Sequence, residues 1–117
     1  MKRLATAITV LLLAAGLAGC GGDSGGDSGS QGNDPIEVTF SGGDVTPKGE
    51  RVDVSTGTIT FDVTADEPGT IHVHSSPEQE ISYESGTHSY DVEIDKPGVV
   101  EVESHDLDVV IVQLEVK

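Results

Sequence analysis

The chain has 117 residues, room for one domain of ordinary size with a tail. Its 21 acidic residues outnumber 6 Lys and Arg for a formal charge of −15, and such a surface is repelled by phosphate backbones, so no nucleic acid is expected as a partner. One Cys, one Met and no Trp exclude an intramolecular disulfide, a thiolate zinc cluster and the best stacking side chain.

Residues 1–19 read as a secretory signal. Lys2 and Arg3 precede an apolar run from Leu4 to Leu17, interrupted by Thr6, Thr9 and Gly16. That run is short for a membrane span and gives way abruptly to Gly-rich polar sequence. Leu17-Ala18-Gly19-Cys20 resembles the bacterial lipobox. The resemblance implies cleavage before Cys20 and a diacylglycerol thioether on its sulfur, with a second acylation at the new amino terminus. Paired acyl chains anchor stably where one does not. The alternative is an uncleaved anchor helix with an incidental Cys. Cleavage would leave Lys48, Arg51, Lys96 and Lys117 against all 21 acids, a formal charge of −17. An anionic leaflet repels that surface, so the lipid would do the tethering. Met1-Lys2-Arg3-Leu4 is not a twin-arginine signal, which favours the general secretory route.

Residues 20–34 comprise the lipidated Cys and a Gly/Ser/Asp-rich linker. Nothing in Gly21–Asp34 can bury a face, and such a segment has a root-mean-square reach of roughly 20 Å.

Residues 35–117 form the predicted domain, and their period is two nearly throughout. Ile36, Val38 and Phe40 alternate with Glu37 and Thr39, and Val52 and Val54 with Arg51 and Asp53. The same holds for Ile59, Phe61 and Val63, for Ile71 and Val73 against His72 and His74, and for Tyr90, Val92 and Ile94. Val100 and Val102 alternate with Glu101 and Glu103, and the run from Val109 to Val116 opens with four apolar residues, which suggests a central strand. Turn signals fall at Gly42-Gly43, Pro47-Lys48-Gly49, Pro68-Gly69, Ser85-Gly86 and Pro97-Gly98. Alternation of this kind marks half-buried antiparallel strands, and about seven of them predict an all-β sandwich or barrel.

In order along the chain, Ile36-Glu-Val-Thr-Phe40, Gly57-Thr-Ile-Thr-Phe-Asp-Val-Thr-Ala-Asp66, Thr70-Ile-His-Val-His74 and Lys96-Pro-Gly-Val-Val-Glu-Val-Glu-Ser-His105 resemble the cupredoxin-like domains of exported bacterial proteins. The resemblance spans residues 36–117 and implies a Greek-key β-sandwich. It also implies a first metal-ligating His on the Thr70–His74 strand and a second near His105. The family's ligand Cys would fall near Glu103, and the short Asp106-Leu107-Asp108 loop has no Met. A blue-copper centre needs two imidazoles and a thiolate. Its electron transfer is therefore excluded on ligand chemistry.

Two readings of the histidines stand at this point. His72 and His74 lie on one face of a strand, about 7 Å apart at Cα. Glu101, Glu103 and His105 share a parity on another strand, so imidazoles and the Glu103 carboxylate can converge, a donor set suited to Cu(II) or Zn(II). The competing reading makes His72 and His74 cross-strand partners of carboxylates on a solvated acidic face. His88 reads as a turn or packed histidine. Glu78-Gln79-Glu80 reads as solvated surface without the spacing of a calcium loop. No nucleophile elbow, phosphate loop or catalytic carboxylate pair appears. The expectation is an extracytoplasmic, non-enzymatic module, lipid-anchored to the cell membrane. It either captures Cu(II) or Zn(II) through His72, His74, His105 and Glu103, or serves as a redox-inert surface for an envelope protein partner.

Overall fold

A computed structural model describes residues 32–117; the expected signal segment, Cys20 and most of the expected linker lie outside the described residues. Among the described residues, nine strands form two sheets. They are β1 (Ile36–Ser41), β2 (Asp44–Thr46), β3 (Glu50–Val54), β4 (Gly57–Ala65), β5 (Gly69–Val73), β6 (Gln79–Tyr83), β7 (Gly86–Ile94), β8 (Gly98–Ser104) and β9 (Val109–Val116). One sheet runs β2-β1-β4-β7 and the other β3-β9-β8-β5-β6. Repeated crossing between the two sheets gives the sandwich its Greek-key winding.

Two strands beyond the expected set appear, for different reasons. β2 has three residues and exists because Gly42 and Gly43 both take positive φ (63° and 78°), the conformation of a type I′ hairpin. It lies against β1, whereas β3 lies against β9, so Pro47-Lys48-Gly49 carries the chain from one sheet to the other. β6 alternates in proper register, burying Ile81 and Tyr83 beneath exposed Glu80 and Ser82. β7 begins at Gly86, earlier than its apolar residues indicate, because Thr87, His88 and Ser89 pair with β4 while remaining exposed.

The inward residues of both sheets form one core. Phe61, Ile59, Ile71, Ile111 and Leu114 are its largest fully enclosed side chains, each such side chain contributing about 1.5–3 kcal/mol relative to exposure. Phe40 of β1 stacks on Tyr83 of β6 at 4.6 Å between centroids, joining the two sheets. Gly69 makes that seat possible: a Cβ there would lie 2.3 Å from the Tyr83 hydroxyl.

β9 is interior to its sheet, between β3 and β8. Its apolar run has a second cause beyond central placement. Pairing shifts from Val102↔Val112 to Glu103↔Val110, leaving Ile111 as the extra residue of a β-bulge, and Ile111 and Val112 are consequently both buried. At the entry to the domain, the Asn33 side chain accepts from Ser55 N–H (2.6 Å) and donates to the carbonyls of Ser55 (2.9 Å) and Thr58 (3.2 Å).

Candidate metal centre

The site lies on the outer face of the five-stranded sheet, over β8, β5 and β6. Ile71 and Val73 fill the core, so period-two alternation turns His72 and His74 outward. On β8, buried Val100, Val102 and Ser104 alternate with Glu101, Glu103 and then His105, which repeats the parity expected from sequence.

Register decides which outward residues meet. His72 stands opposite Glu103 on one side and Glu80 on the other. The closest side-chain contacts run diagonally, as long side chains leaning along antiparallel strands allow. His72 Nδ1 lies 2.9 Å from His105 Nε2, and His74 Nε2 lies 2.9 Å from Glu103 Oε2. His105 Nε2 is 3.7 Å from that same Glu103 oxygen. The His72 and His74 rings stack at 4.5 Å, and one nitrogen from each of the three histidines lies within 4.8 Å of the others.

Local structure fixes both ends of this lattice. His105 leaves β8 into a tight turn, in which Asp108 N–H donates to the His105 carbonyl (3.3 Å) and Asp108 takes φ 54°. The buried Ser104 hydroxyl accepts from Leu107 N–H (3.3 Å), holding the turn closed. Beyond β5, Ser75 is buried; its hydroxyl donates to the Pro77 carbonyl (2.7 Å) and accepts from Gln79 Nε2 (3.0 Å). Gln79 Nε2 also donates to the Glu93 carbonyl (2.7 Å). This turn delivers Glu78 to the cluster, with Oε2 at 3.2 Å from His72 Nε2 and Oε1 at 3.4 Å from His74 Nδ1.

Glu78 is the participant that sequence reasoning placed elsewhere, as solvated surface. The signal that locates it is positional: it follows His74 by four residues across a Ser-Ser-Pro turn into an antiparallel strand, which returns it beside the histidines. Glu101 has the expected parity but not the expected partner, since its carboxylate accepts from Gln113 Nε2 at 3.1 Å. His88 is exposed and its Nε2 meets the Ser85 carbonyl at 3.0 Å, a turn histidine remote from the cluster.

A carboxylate only accepts hydrogen bonds, so ring nitrogens facing Glu78 and Glu103 carry protons when those bonds form. His72 then donates from Nε2 and accepts at Nδ1 from His105 Nε2–H. His74 faces a carboxylate through both nitrogens, which favours its imidazolium. Its pKa is raised above the ordinary 6.5, first by the hydrogen bond to Glu103, against an opposing desolvation, and then by the charges of Glu103 and Glu78.

Three of the donor separations are close to those of a metal centre. Four ligands at about 2.0–2.1 Å in tetrahedral array lie about 3.3 Å apart. Along the path His72 Nδ1, His105 Nε2, Glu103 Oε2 and His74 Nε2, successive separations of 2.9, 3.7 and 2.9 Å bracket that figure. His72, His74 and His105 form a group that could hold a metal ion. A separate cleft of about 420 Å³, bordered by Phe40, Tyr83, Asp66 and Asp106, contains none of the three histidines.

No family model matches the chain, and no curated protein matches its sequence. Solved structures do match its fold. A purple cupredoxin from Nitrosopumilus maritimus superposes with TM-score 0.51 at 16% identity, covering 73% of this chain and 100% of that one. A multi-copper oxidase from Pediococcus acidilactici gives 0.51 at 14%, covering 73% of this chain and 26% of the oxidase. A proline-to-glycine variant of amicyanin, in its reduced Cu(I) form at pH 4, gives 0.50 at 13%, covering 73% and 84%. The domain is a cupredoxin-like β-sandwich carrying a three-histidine group on an outer sheet face.

Proposed function

We propose that this chain is a non-enzymatic metal-capturing module, held outside the cytoplasm by lipid on Cys20. In this reading His72, His74, His105 and Glu103 take up Cu(II) or Zn(II). The observation that carries it is the clustering of three imidazoles beside Glu103: His74 and His105 approach its carboxylate at 2.9 and 3.7 Å, and His72, 33 residues before His105, lies 2.9 Å from the His105 ring. Imidazole with carboxylate is the donor chemistry of these borderline ions. The multi-copper oxidase and the Cu(I) amicyanin among the matched structures add weight to copper as the ion. The lipid anchor rests on the Leu17-Ala18-Gly19-Cys20 string, and the export that it accompanies suits copper or zinc scavenging at an envelope.

Isothermal titration of residues 32–117 with Cu(II) and with Zn(II) at pH 7.5 tests the capture. One-to-one binding lost in His72→Ala/His74→Ala supports it; absence of binding, or unchanged affinity in the double variant, overturns it. Mass spectrometry of the peptide beginning at Cys20 tests the anchor, which an unmodified thiol would refute.

The second reading, a redox-inert interaction sandwich serving an envelope protein partner, has its own observation. Without metal, His72 and His74 already find partners in Glu78 and Glu103. Lack of metal binding together with a partner crosslinked through the His72–Glu78 face would favour it.

A further inference from the structure

The geometry points to Glu78 as an outer carboxylate that fixes the tautomers of two metal-binding histidines, so that His72 binds through Nδ1 and His74 through Nε2. The inference rests on the metal-capture reading and adds to it the assignment of ligand atoms and the residue that enforces them.

Each imidazole has two nitrogens, and the nitrogen left for a metal is the one whose ring partner is engaged as a donor elsewhere. One Glu78 carboxylate faces both rings at once, Oε2 toward His72 Nε2 and Oε1 toward His74 Nδ1. The atoms it leaves free, His72 Nδ1 and His74 Nε2, are those directed at His105 and Glu103. The two stacked rings, 4.5 Å apart with 19° between planes, therefore present opposite nitrogens to His105 Nε2 and Glu103 Oε2, which lie 3.7 Å from each other.

The carboxylate is held by more than its own exposed side chain. Ser75, Pro77 and Gln79 close the turn around it, and Gln79 ties that turn to the Glu93 carbonyl of β7. Glu78 is thus presented from a braced turn. Glu80 provides the contrast: it stands directly opposite His72 in register, and no hydrogen bond joins it to either ring among the described residues.

Two measurements test the assignment. In metal-free protein at pH 8, imidazole ¹⁵N spectra are expected to show His72 protonated at Nε2; a His72 protonated at Nδ1 overturns the inference without any variant. In zinc titrations, Glu78→Ala is expected to weaken binding by about 10–100-fold, the range commanded by outer hydrogen-bond partners of metal-bound histidine. Glu80→Ala removes the same formal charge and is expected to change affinity by less than about threefold, as a screened exposed charge should. Equal losses in both variants would reduce Glu78 to a general electrostatic contribution and refute the positioning role, as would no loss in either. A wild-type domain that binds no zinc instead removes the metal reading itself, which the titration of the unaltered protein reports separately.

Discussion

The two outer sheet faces of this sandwich carry similar polar residues and have different chemical capacity. On the four-stranded sheet, β4 and β7 are joined by hydroxyl–carboxylate rungs: Thr58 to Glu93, Thr60 to Asp91 (2.7 Å) and Ser89 to Asp62 (2.5 Å). Thr64 and Thr87 continue the ladder at 3.0 Å. Hydroxyl donors satisfy carboxylates there, and no nitrogen ligand is among them. On the five-stranded sheet the carboxylates of Glu78 and Glu103 meet imidazoles instead. An imidazole can give up a proton and offer a lone pair, so the same cross-strand architecture becomes a ligand set. The lesson is that acidic surface on an exposed sheet is ordinary, and the identity of its cross-strand partners makes it a site.

The largest expected effect separates the faces outright. His72→Ala/His74→Ala should reduce zinc affinity by well over about 100-fold, beyond what outer partners alone control, whereas Thr60→Ala/Asp91→Ala should leave it unchanged. Calorimetric titration of both variants checks this, and a parallel loss from the β4–β7 face would erase the distinction. Ser104→Ala comes next. It leaves the Leu107 N–H without its acceptor and loosens the turn holding His105, at a cost of about 1–2 kcal/mol in urea unfolding. Zinc affinity should fall several-fold with it; full retention would mean that the His105 turn is braced by other contacts.

Thr60→Ala alone removes one rung of the hydroxyl ladder and should cost about 0.2–1 kcal/mol, with no effect on metal. The smallest effect concerns pH. His74 has a folded-state pKa raised above its ordinary value, so its ion pairs stabilise the metal-free fold fully below pH 6.5, and that stabilisation is lost as pH rises through the raised pKa. The stability difference between wild type and His74→Ala, measured with chelator present, should therefore be larger at pH 6 than at pH 8.5. A difference that grows with pH would reverse the assigned role of Glu103.

Alternation made much of the fold legible. It separated Ile71 and Val73 from His72 and His74, and Val100 and Val102 from Glu101, Glu103 and His105, because a pleated backbone sends successive side chains to opposite faces. It failed where strands are defined by pairing more than by side chains. β2 is too short to show a period, and the start of β7 is polar on both faces. The apolar opening of β9 reflects the Ile111 bulge as well as central placement, two causes that look alike in a linear sequence.

The grouping of His72, His74 and His105 was legible from parity and resemblance, and the part played by Glu78 was not. Glu101 and Glu103 have equal parity, yet only Glu103 reaches an imidazole while Glu101 turns to Gln113. Of the two acids in Glu78-Gln79-Glu80, the one directly opposite His72 in register is Glu80, and the one that bonds it is Glu78.

The amino-acid sequence by itself settled most of the elements and their chemistry: a domain without sulfur after Cys20, strands of period two, and imidazoles on an outward face. These follow from composition and from backbone geometry, which act locally. Tertiary structure alone decided that β8, β5 and β6 lie side by side in the register that sets His105, Glu103 and Glu78 around His72 and His74. For β8 against β5 that register is imposed by burial of the opposite face across strands distant in sequence, and no local signal along the chain encodes it.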